Sequence, residues 1–295
     1  MSDILVIGSN RLNHVSKDAD SFGSAEEYSL GGAGLNIARN LAYLGNKVTF
    51  LTALGNDEYG DRILEELKGL GVEVLCPERK YPTPLFEGKL DSKGQLKGSY
   101  ANVKANEALK APFFMQHLAM ILNYEHLFFD TDIGQQGIID LMRNFPNMKI
   151  CIYGIAQPKM RRFVRFLPRT HLFYGDYKEM KELVEMKKDA TLQETVDAVR
   201  ANGVQNVIGN FEGKEIYYSN PFDWGYLEVE PLAEEKIVNR IGATAAFYAG
   251  FLTGFVRKKK FVENLKFGLE VSNLTMQVEG ETDPDIAKLV QKEGE

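Results

Sequence analysis

The stretch "GGAGLNIARNLAYLGNKVTFLTALGNDEYGDRILEELKGLGVEV", residues 31–74, decides the fold class. Its first part places apolar side chains on one stripe and stops at Gly45, which is typical of an amphipathic helix with a C-terminal glycine. "KVTFLTALG" has the apolar run of a buried strand, and residues 57–71 again have helical spacing. This alternation predicts βαβ units, and therefore a parallel sheet with helices on its faces.

Short apolar runs extend the same pattern along the chain. They begin with "DILVIGS" at residues 3–9 and continue as "HLFFDTD", "KICIYGIA", "HLFYGD" and "VQNVIGN", with helical or polar segments between them. We therefore expect a single α/β domain over residues 1–295 with a central, mostly parallel sheet.

Two polar segments, residues 14–30 and 80–105, interrupt this rhythm. The second contains the alternating stretch "LFEGKLDSKGQLKGSY", which predicts short antiparallel strands and hairpins. We expect the two segments to form a small β-lid over the edge of the sheet. A surface hairpin without any role in closure is the alternative.

Composition excludes several classes of protein. The chain has 295 residues, of which 44% are hydrophobic and 26% charged, as in ordinary globular proteins. A net charge of −6 argues against a general nucleic-acid surface. Two isolated cysteines, Cys76 and Cys151, form neither a disulfide framework nor a zinc cluster and predict a cytoplasmic location. We expect no membrane span and no signal peptide, and we expect residues 280–295 to be a solvated terminal helix or a frayed end.

A second glycine motif, "VNRIGATAAFYAGFL", covers residues 238–252. Its Gly242-Ala243-Thr244 start could present backbone N–H groups to an anion before an apolar helix begins. Together with residues 31–74, and in the same order, this motif resembles the two signatures of the PfkB, or ribokinase-like, carbohydrate kinases. The resemblance runs over nearly the whole chain, from "ILVIGSNRLNH" to "NRIGATAAFYAGFLTGF".

The resemblance implies a ribokinase-like fold whose β-lid often serves in dimerisation. It also implies transfer of the γ-phosphoryl group of ATP to a hydroxyl of a small sugar or nucleoside, usually with Mg²⁺. The implied substrate-binding residues are Asn13, Gly31, Gly32 and Asn36. Asn13 stands where the family has an Asp that holds sugar hydroxyls, so it keeps hydrogen bonding but loses the charge.

The catalytic signature of the family usually reads Asp-Thr-x-Gly-Ala-Gly-Asp-Ala-Phe, and its last Asp accepts the proton of the attacking hydroxyl. Here Gly242 and Ala243 match, Thr244 replaces the second Gly, and Ala245 occupies the position of that base. Asn239 replaces the first Asp. Because Ala cannot accept a proton, the motif is degenerate at its central residue. An introduced Ala245 would explain that loss, but not the other replacements.

The resemblance also implies a set of nucleotide-binding residues. The family's Asn-x-x-Glu motif falls on Asp176 and Glu179, of which Glu179 is linked to Mg²⁺. Its Thr-x-Gly motif aligns Ile208 and Asn210 when Gly213 is taken as the later glycine, although Gly209 could shift this by one position. Two further positions complete the set. Asn273 is placed beside the adenine, and Arg240 is either a phosphate ligand or the partner of Glu234 or Glu235.

Three hypotheses remain open, and the sequence leaves it uncertain whether the protein is an active enzyme. The first is an ATP-dependent kinase whose base is supplied differently. The second is a sugar- or nucleoside-binding or regulatory protein on a kinase scaffold with little phosphoryl transfer. The third is a structural or partner protein that uses its lid to dimerise or to dock on an active homologue. The replacements at Asn13, Ile208, Asn239 and Ala245 favour a catalytically impaired member.

Overall fold

The computed structural model describes residues 3–16, 28–90, 96–154, 157–211, 213–230 and 232–291. The strands in this part of the chain are β1 Asp3–Ile7, β2 Arg11–Ser16, β3 Ser29–Gly31, β4 Lys47–Leu51, β5 Glu73–Leu75, β6 Leu85–Leu90, β7 Leu96–Asn102, β8 His126–Asp130, β9 Lys149–Gly154, β10 Thr170–Asp176, β11 Asn206–Phe211, β12 Glu215–Ser219 and β13 Trp224–Leu227. The helices are α1 Ala33–Tyr43, α2 Glu58–Gly69, α3 Ala111–Gln116, α4 Leu118–Ile121, α5 Gln135–Asn144, α6 Tyr177–Leu183, α7 Leu192–Ala201, α8 Ala243–Phe255, α9 Phe261–Thr275 and α10 Ala287–Gln291. Segments of 3-10 helix cover Lys104–Ala108, Gln157–Arg169, Glu234–Lys236 and Pro284–Ile286.

The central sheet has the strand order β13-β12-β11-β10-β9-β8-β1-β4-β5. Every neighbouring pair from β11 to β5 is parallel, and β12 and β13 add an antiparallel edge. The mostly parallel sheet predicted from the sequence is therefore confirmed. The antiparallel edge was not predicted.

Helices cover both faces of this sheet, and this explains why the sequence of a central strand such as β1 is almost entirely apolar. Ile4 and Val6 join the core that includes side chains of α1 and α8, whereas Leu5 and Ile7 join the core that includes side chains of α5 and α7. A strand buried on both faces needs a continuous apolar run rather than an alternating one.

Helix α8 is buried on nearly all sides. It packs against α1 and α9, and most of its residues, from Ala243 to Gly254, are buried. A helix that is apolar all round is stable only inside the protein. The apolar part of the second glycine motif therefore holds the N-terminus of α8 firmly in place.

A second, smaller sheet has the strand order β3-β2-β6-β7. β6 and β7 lie within the second segment predicted for the β-lid, whereas β2 and β3 overlap the first segment and extend beyond it to Arg11 and Gly31. Residues 17–27 and 91–95 lie outside the described residues. Whether this sheet closes over a ligand stays a prediction.

Asp57 fixes the chain where it enters the small sheet. Its carboxylate caps α2 by accepting from the backbone N–H of Gly60, and it also accepts from the N–H and hydroxyl of Thr83 at 2.7 and 2.5 Å. Burial favours the neutral carboxyl, but these hydrogen bonds outweigh it and lower the pKa of Asp57. Gly55 is required beside it, because a Cβ there would lie 2.1 Å from the nitrogen of Thr83.

The chain end corrects one prediction. Residues 280–295 were expected to be solvated, yet Glu281 and Asp283 are buried and Ile286 is fully buried against Leu44 and Val271. The apolar contact made by Ile286 draws this acidic stretch onto the body of the protein. Residues 292–295 lie outside the described residues. Among the described helices, none has both the length and the apolar character needed to span a membrane.

Candidate functional site

The loop before α8 has the geometry of an anion-binding turn. Gly242 is the N-cap of α8 in the left-handed conformation with φ of 88°, which favours glycine. No side chain caps the helix, and its first turn has no acidic residue. The first backbone N–H groups of a helix have no partner within it and carry partial positive charge. The turn can therefore attract an anion.

Position 245 itself offers no carboxylate. Ala245 is 3% exposed and packs in the core. The neighbouring Thr244 is exposed, and its hydroxyl lies 2.7 Å from the hydroxyl of Tyr153. Burial raises the pKa of Tyr153 further above its usual range. This phenol therefore stays neutral at physiological pH and cannot serve as the base.

A cavity of about 320 Å³, here called the α8 cavity, opens beside this turn. Its lining combines backbone and polar groups with the apolar side chains of Leu269 and Met276. Several residues predicted to contact the nucleotide or the phosphoryl group line it: Asn210, Gly213, Arg240, Ala243, Thr244 and Asn273. Asp176 and Glu179 are not among its lining residues.

Two of the predicted nucleotide residues have partners inside the protein. Asn210 donates to the hydroxyl of Tyr174 at 3.1 Å and accepts from the N–H of Gly213 at 2.9 Å, so it closes the turn after β11. Arg240 forms an exposed ion pair with both carboxylate oxygens of Glu234, at 2.9 and 2.8 Å. The pairing with Glu234 that the sequence left open is therefore present.

Asp176 and Glu179 form a carboxyl pair at the start of α6. Asp176 caps the helix by accepting from the N–H of Lys178 at 3.0 Å. Burial, together with the charge of Asp176 and a hydrogen bond to it, raises the pKa of Glu179 to about 7. Mg²⁺ is commonly held by one or two carboxylates together with substrate phosphates. This pair fits that role, provided that the cation displaces the proton.

The predicted substrate residues meet around Glu281, a residue that sequence analysis missed. Asn13 and Asn36 donate from Nδ2 to the carboxylate of Glu281 at 2.8 and 2.7 Å, and the hydroxyl of Ser29 donates at 2.9 Å. A Cβ on Gly31 would lie 2.1 Å from Oε2 of Glu281. We call these residues, Asn13, Ser29, Gly31 and Asn36, the asparagine cluster.

Gly32, the remaining residue predicted to bind the substrate, serves the turn before α1. It has φ of 110°, and a Cβ there would lie 2.8 Å from the Cα of Asn10. This glycine is therefore needed for backbone conformation and close packing.

Both asparagine amides also accept a hydrogen bond through their oxygens. Oδ1 of Asn13 accepts from Nε of Arg11 at 2.8 Å, and Oδ1 of Asn36 accepts from Nη1 of Arg39 at 3.3 Å. These partners fix the amide orientations, so each Nδ2 must face Glu281.

A larger cavity of about 650 Å³, the α5 cavity, lies near the N-terminus of α5. Asn106, Asp132 and Arg162 contribute to its lining, and Asp132 is ion-paired with Arg11 at 3.3 Å. Asn106 is 1% exposed, and its Oδ1 has no hydrogen-bond partner among the described residues. Arg11 thus links this cavity to the asparagine cluster through Asn13. No motif pointed to this cavity.

Comparison with known proteins gives consistent results. The chain matches the pfkB family carbohydrate kinases over residues 1–288. It is 24% identical to the pseudouridine kinase of Escherichia coli over 301 residues, covering 96% of this chain and 93% of the relative. It is also 24% identical to the guanosine-inosine kinase of Exiguobacterium acetylicum, covering 87% and 86%. The ribokinase structure from Thermotoga maritima superposes with a TM-score of 0.82 at 20% identity, covering 99% of each chain. The chain belongs to the pfkB family of carbohydrate kinases.

Proposed function

We propose that the protein is a sugar or nucleoside kinase homologue that retains a nucleotide-binding cavity but transfers phosphoryl groups poorly. The observation that carries this proposal is the N-terminus of α8. Its turn keeps the geometry that suits an anion, while position 245 offers only a methyl group. A regulatory role on the same scaffold is the second candidate, because the asparagine cluster is already engaged by Glu281 rather than open to a substrate.

The α8 cavity supports binding of ATP. Backbone N–H groups at the start of α8 would face the phosphates, and Leu269 and Met276 offer apolar surface to a purine. Arg240 could turn from Glu234 to a phosphate, because their ion pair is exposed and therefore weak. When bound, ATP would supply the phosphoryl group, and Mg²⁺ beside Asp176 and Glu179 would neutralise part of its charge.

The missing base limits the rate. A positioned general base typically contributes about 10²- to 10⁴-fold to such a reaction. Neither Ala245 nor the neutral phenol of Tyr153 can take the proton of an attacking hydroxyl. Binding and positioning by the remaining residues would still permit slow transfer.

Titration calorimetry with ATP and Mg²⁺ tests whether the α8 cavity binds the nucleotide. Substitutions of Arg240 and Glu234, one at a time, provide a matched pair of variants. Arg240→Ala removes the cation from the cavity and should weaken ATP binding by about two- to fivefold. Glu234→Ala breaks the same ion pair but frees Arg240, so ATP binding should stay equal or strengthen. Weakening of ATP binding by both variants, or no binding to the unmodified protein, would contradict the proposal.

A second experiment tests the missing base. Ala245→Asp combined with Thr244→Gly restores the family residues at both positions. We expect this double variant to phosphorylate ribose, inosine or pseudouridine faster than the unmodified protein does. Thr244→Gly alone serves as the control, because it removes the contact with Tyr153 without adding a carboxylate. Equal rates in the single and double variants would count against the missing base as the limiting defect.

A further inference from the structure

Glu281 is placed where both glycine motifs meet. It is 7% exposed, and its two carboxylate oxygens receive three hydrogen bonds from the asparagine cluster. Its carboxylate lies against Gly31 of the first motif, while its backbone carbonyl lies against Gly242 of the second. A Cβ on Gly242 would be only 1.9 Å from that carbonyl oxygen. Both glycines thus make room for a residue of the chain itself.

The segment that carries Glu281 is anchored to the second motif. The backbone N–H of Val238 donates to the carbonyl of Met276 at 2.9 Å. Nδ2 of Asn239 donates to the carbonyl of Glu279 at 2.8 Å, while its Oδ1 accepts from the N–H of Ile241. These contacts hold residues 276–281 across the start of α8.

Asn13 and Asn239, which both replace an Asp of the family, can be explained by the same physical requirement for a hydrogen-bond donor. Asn13 donates to the carboxylate of Glu281, and Asn239 donates to the carbonyl of Glu279. An ionised Asp at either position has no proton to donate and would face an oxygen instead. Both replacements therefore supply donors to the segment of residues 276–281. Random loss of residues from an unused site would not be expected to place two donors opposite oxygens of the same segment.

We propose that Glu281 is a built-in occupant of the substrate pocket, and that its carboxylate holds the hydrogen-bond donors that a substrate hydroxyl would otherwise engage. A sugar or nucleoside can reach Asn13 and Asn36 only after the Glu281 side chain leaves. This inference rests on the proposed function in one respect: it takes the asparagine cluster as the substrate side of the site. The docked segment then acts as an autoinhibitory contact.

A double-mutant cycle tests the placement of Glu281 without any ligand. Gly31→Ala should lower the melting temperature by about 4 °C or more, because the new methyl group would lie 2.1 Å from Oε2 of Glu281 and 2.6 Å from Nδ2 of Asn13. The Asn13 amide is held in that place by its hydrogen bond to Glu281, so it can move aside once Glu281 is removed. In the Glu281→Ala background, Gly31→Ala should lower the melting temperature by less than about half as much. An equal drop in both backgrounds would overturn the inference.

Binding measurements test the occupancy itself, with ribose, inosine and adenosine as the three ligands. We expect Glu281→Ala to bind at least one of them about tenfold or more tightly than the unmodified protein does. Glu281→Gln keeps the shape but not the charge, and should show a smaller gain. Glu279→Ala removes the same charge from an exposed position of the same segment and should bind as the unmodified protein does.

Two results of these measurements would contradict the proposed role of Glu281. Unchanged or weaker affinity in both Glu281 variants, including no detectable binding of any of the three ligands, would overturn the inference. Loss of turnover in Glu281→Gln with unchanged binding would instead identify Glu281 as the base and overturn it as well. ATP affinity, measured on the same samples, separates the two proposals. Absence of ATP binding contradicts the proposed function and leaves the gain in sugar or nucleoside affinity intact.

Discussion

Gly242→Ala should be strongly destabilising, for two reasons that can be separated. The residue has φ of 88°, and the left-handed conformation costs a non-glycine residue about 1–2 kcal/mol, partly offset by about 0.4–1 kcal/mol from a less flexible unfolded chain. The added methyl group would also lie 1.9 Å from the carbonyl oxygen of Glu281. Overpacking of this kind costs about 1–3 kcal/mol, and a backbone atom yields less easily than a side chain. We expect a total loss of about 2–4 kcal/mol.

Gly71→Ala isolates the first of these costs. Gly71 has φ of 73°, and an added Cβ there meets nothing within 4 Å. Its expected loss is therefore about 1 kcal/mol. Urea unfolding of the two variants measures the difference between them. Equal losses, within about 0.5 kcal/mol, would refute the close contact between Glu281 and the start of α8.

Three further changes test individual contacts. Asn239→Asp removes the amide donor to the carbonyl of Glu279 and should lower the free energy of unfolding by about 0.5–1.5 kcal/mol, measured in urea. Asp57→Ala removes the cap of α2 and the contacts with Thr83, and should cost about 1–2 kcal/mol near neutral pH. Because the pKa of Asp57 is lowered on folding, this difference should shrink as the pH falls through that pKa. The pKa of Glu179 is instead raised to about 7, so its contribution to stability is fully present below its unfolded pKa and falls as the pH rises towards 7. The melting temperature of Glu179→Gln, relative to that of the unmodified protein, should therefore be higher at pH 8 than at pH 5, which lie about one unit above and two units below that pKa. The same difference in melting temperature at both pH values would contradict the raised pKa.

The sequence was sufficient to predict most of the central sheet, because its strands are buried on both faces. Runs such as Ile4–Ile7 or Leu127–Phe129 are apolar at every position and cannot be mistaken for surface segments. The antiparallel edge was missed because β12 and β13 are short and separated only by a turn. Their pairing depends on contacts with β11 that local spacing does not encode.

The candidate site was predictable only in part. Ala243, Thr244 and Asn210 meet at one cavity because strand ends and a helix N-terminus converge at the same edge of the sheet. Glu281 lies in an acidic, glycine- and proline-containing stretch whose composition is that of a solvated terminus. Its partners are at least 245 residues away in the sequence, so no local pattern could reveal its burial.

The rate of phosphoryl transfer by the unmodified protein tests the central claim most directly. Transfer from radiolabelled ATP to ribose, inosine and pseudouridine should be measured with Mg²⁺ at saturating substrate. With Ala245 in place of the base and Glu281 within the substrate pocket, we expect turnover below about 0.1 s⁻¹ for every one of them. Turnover at an ordinary kinase rate of about 1–100 s⁻¹ would contradict the account.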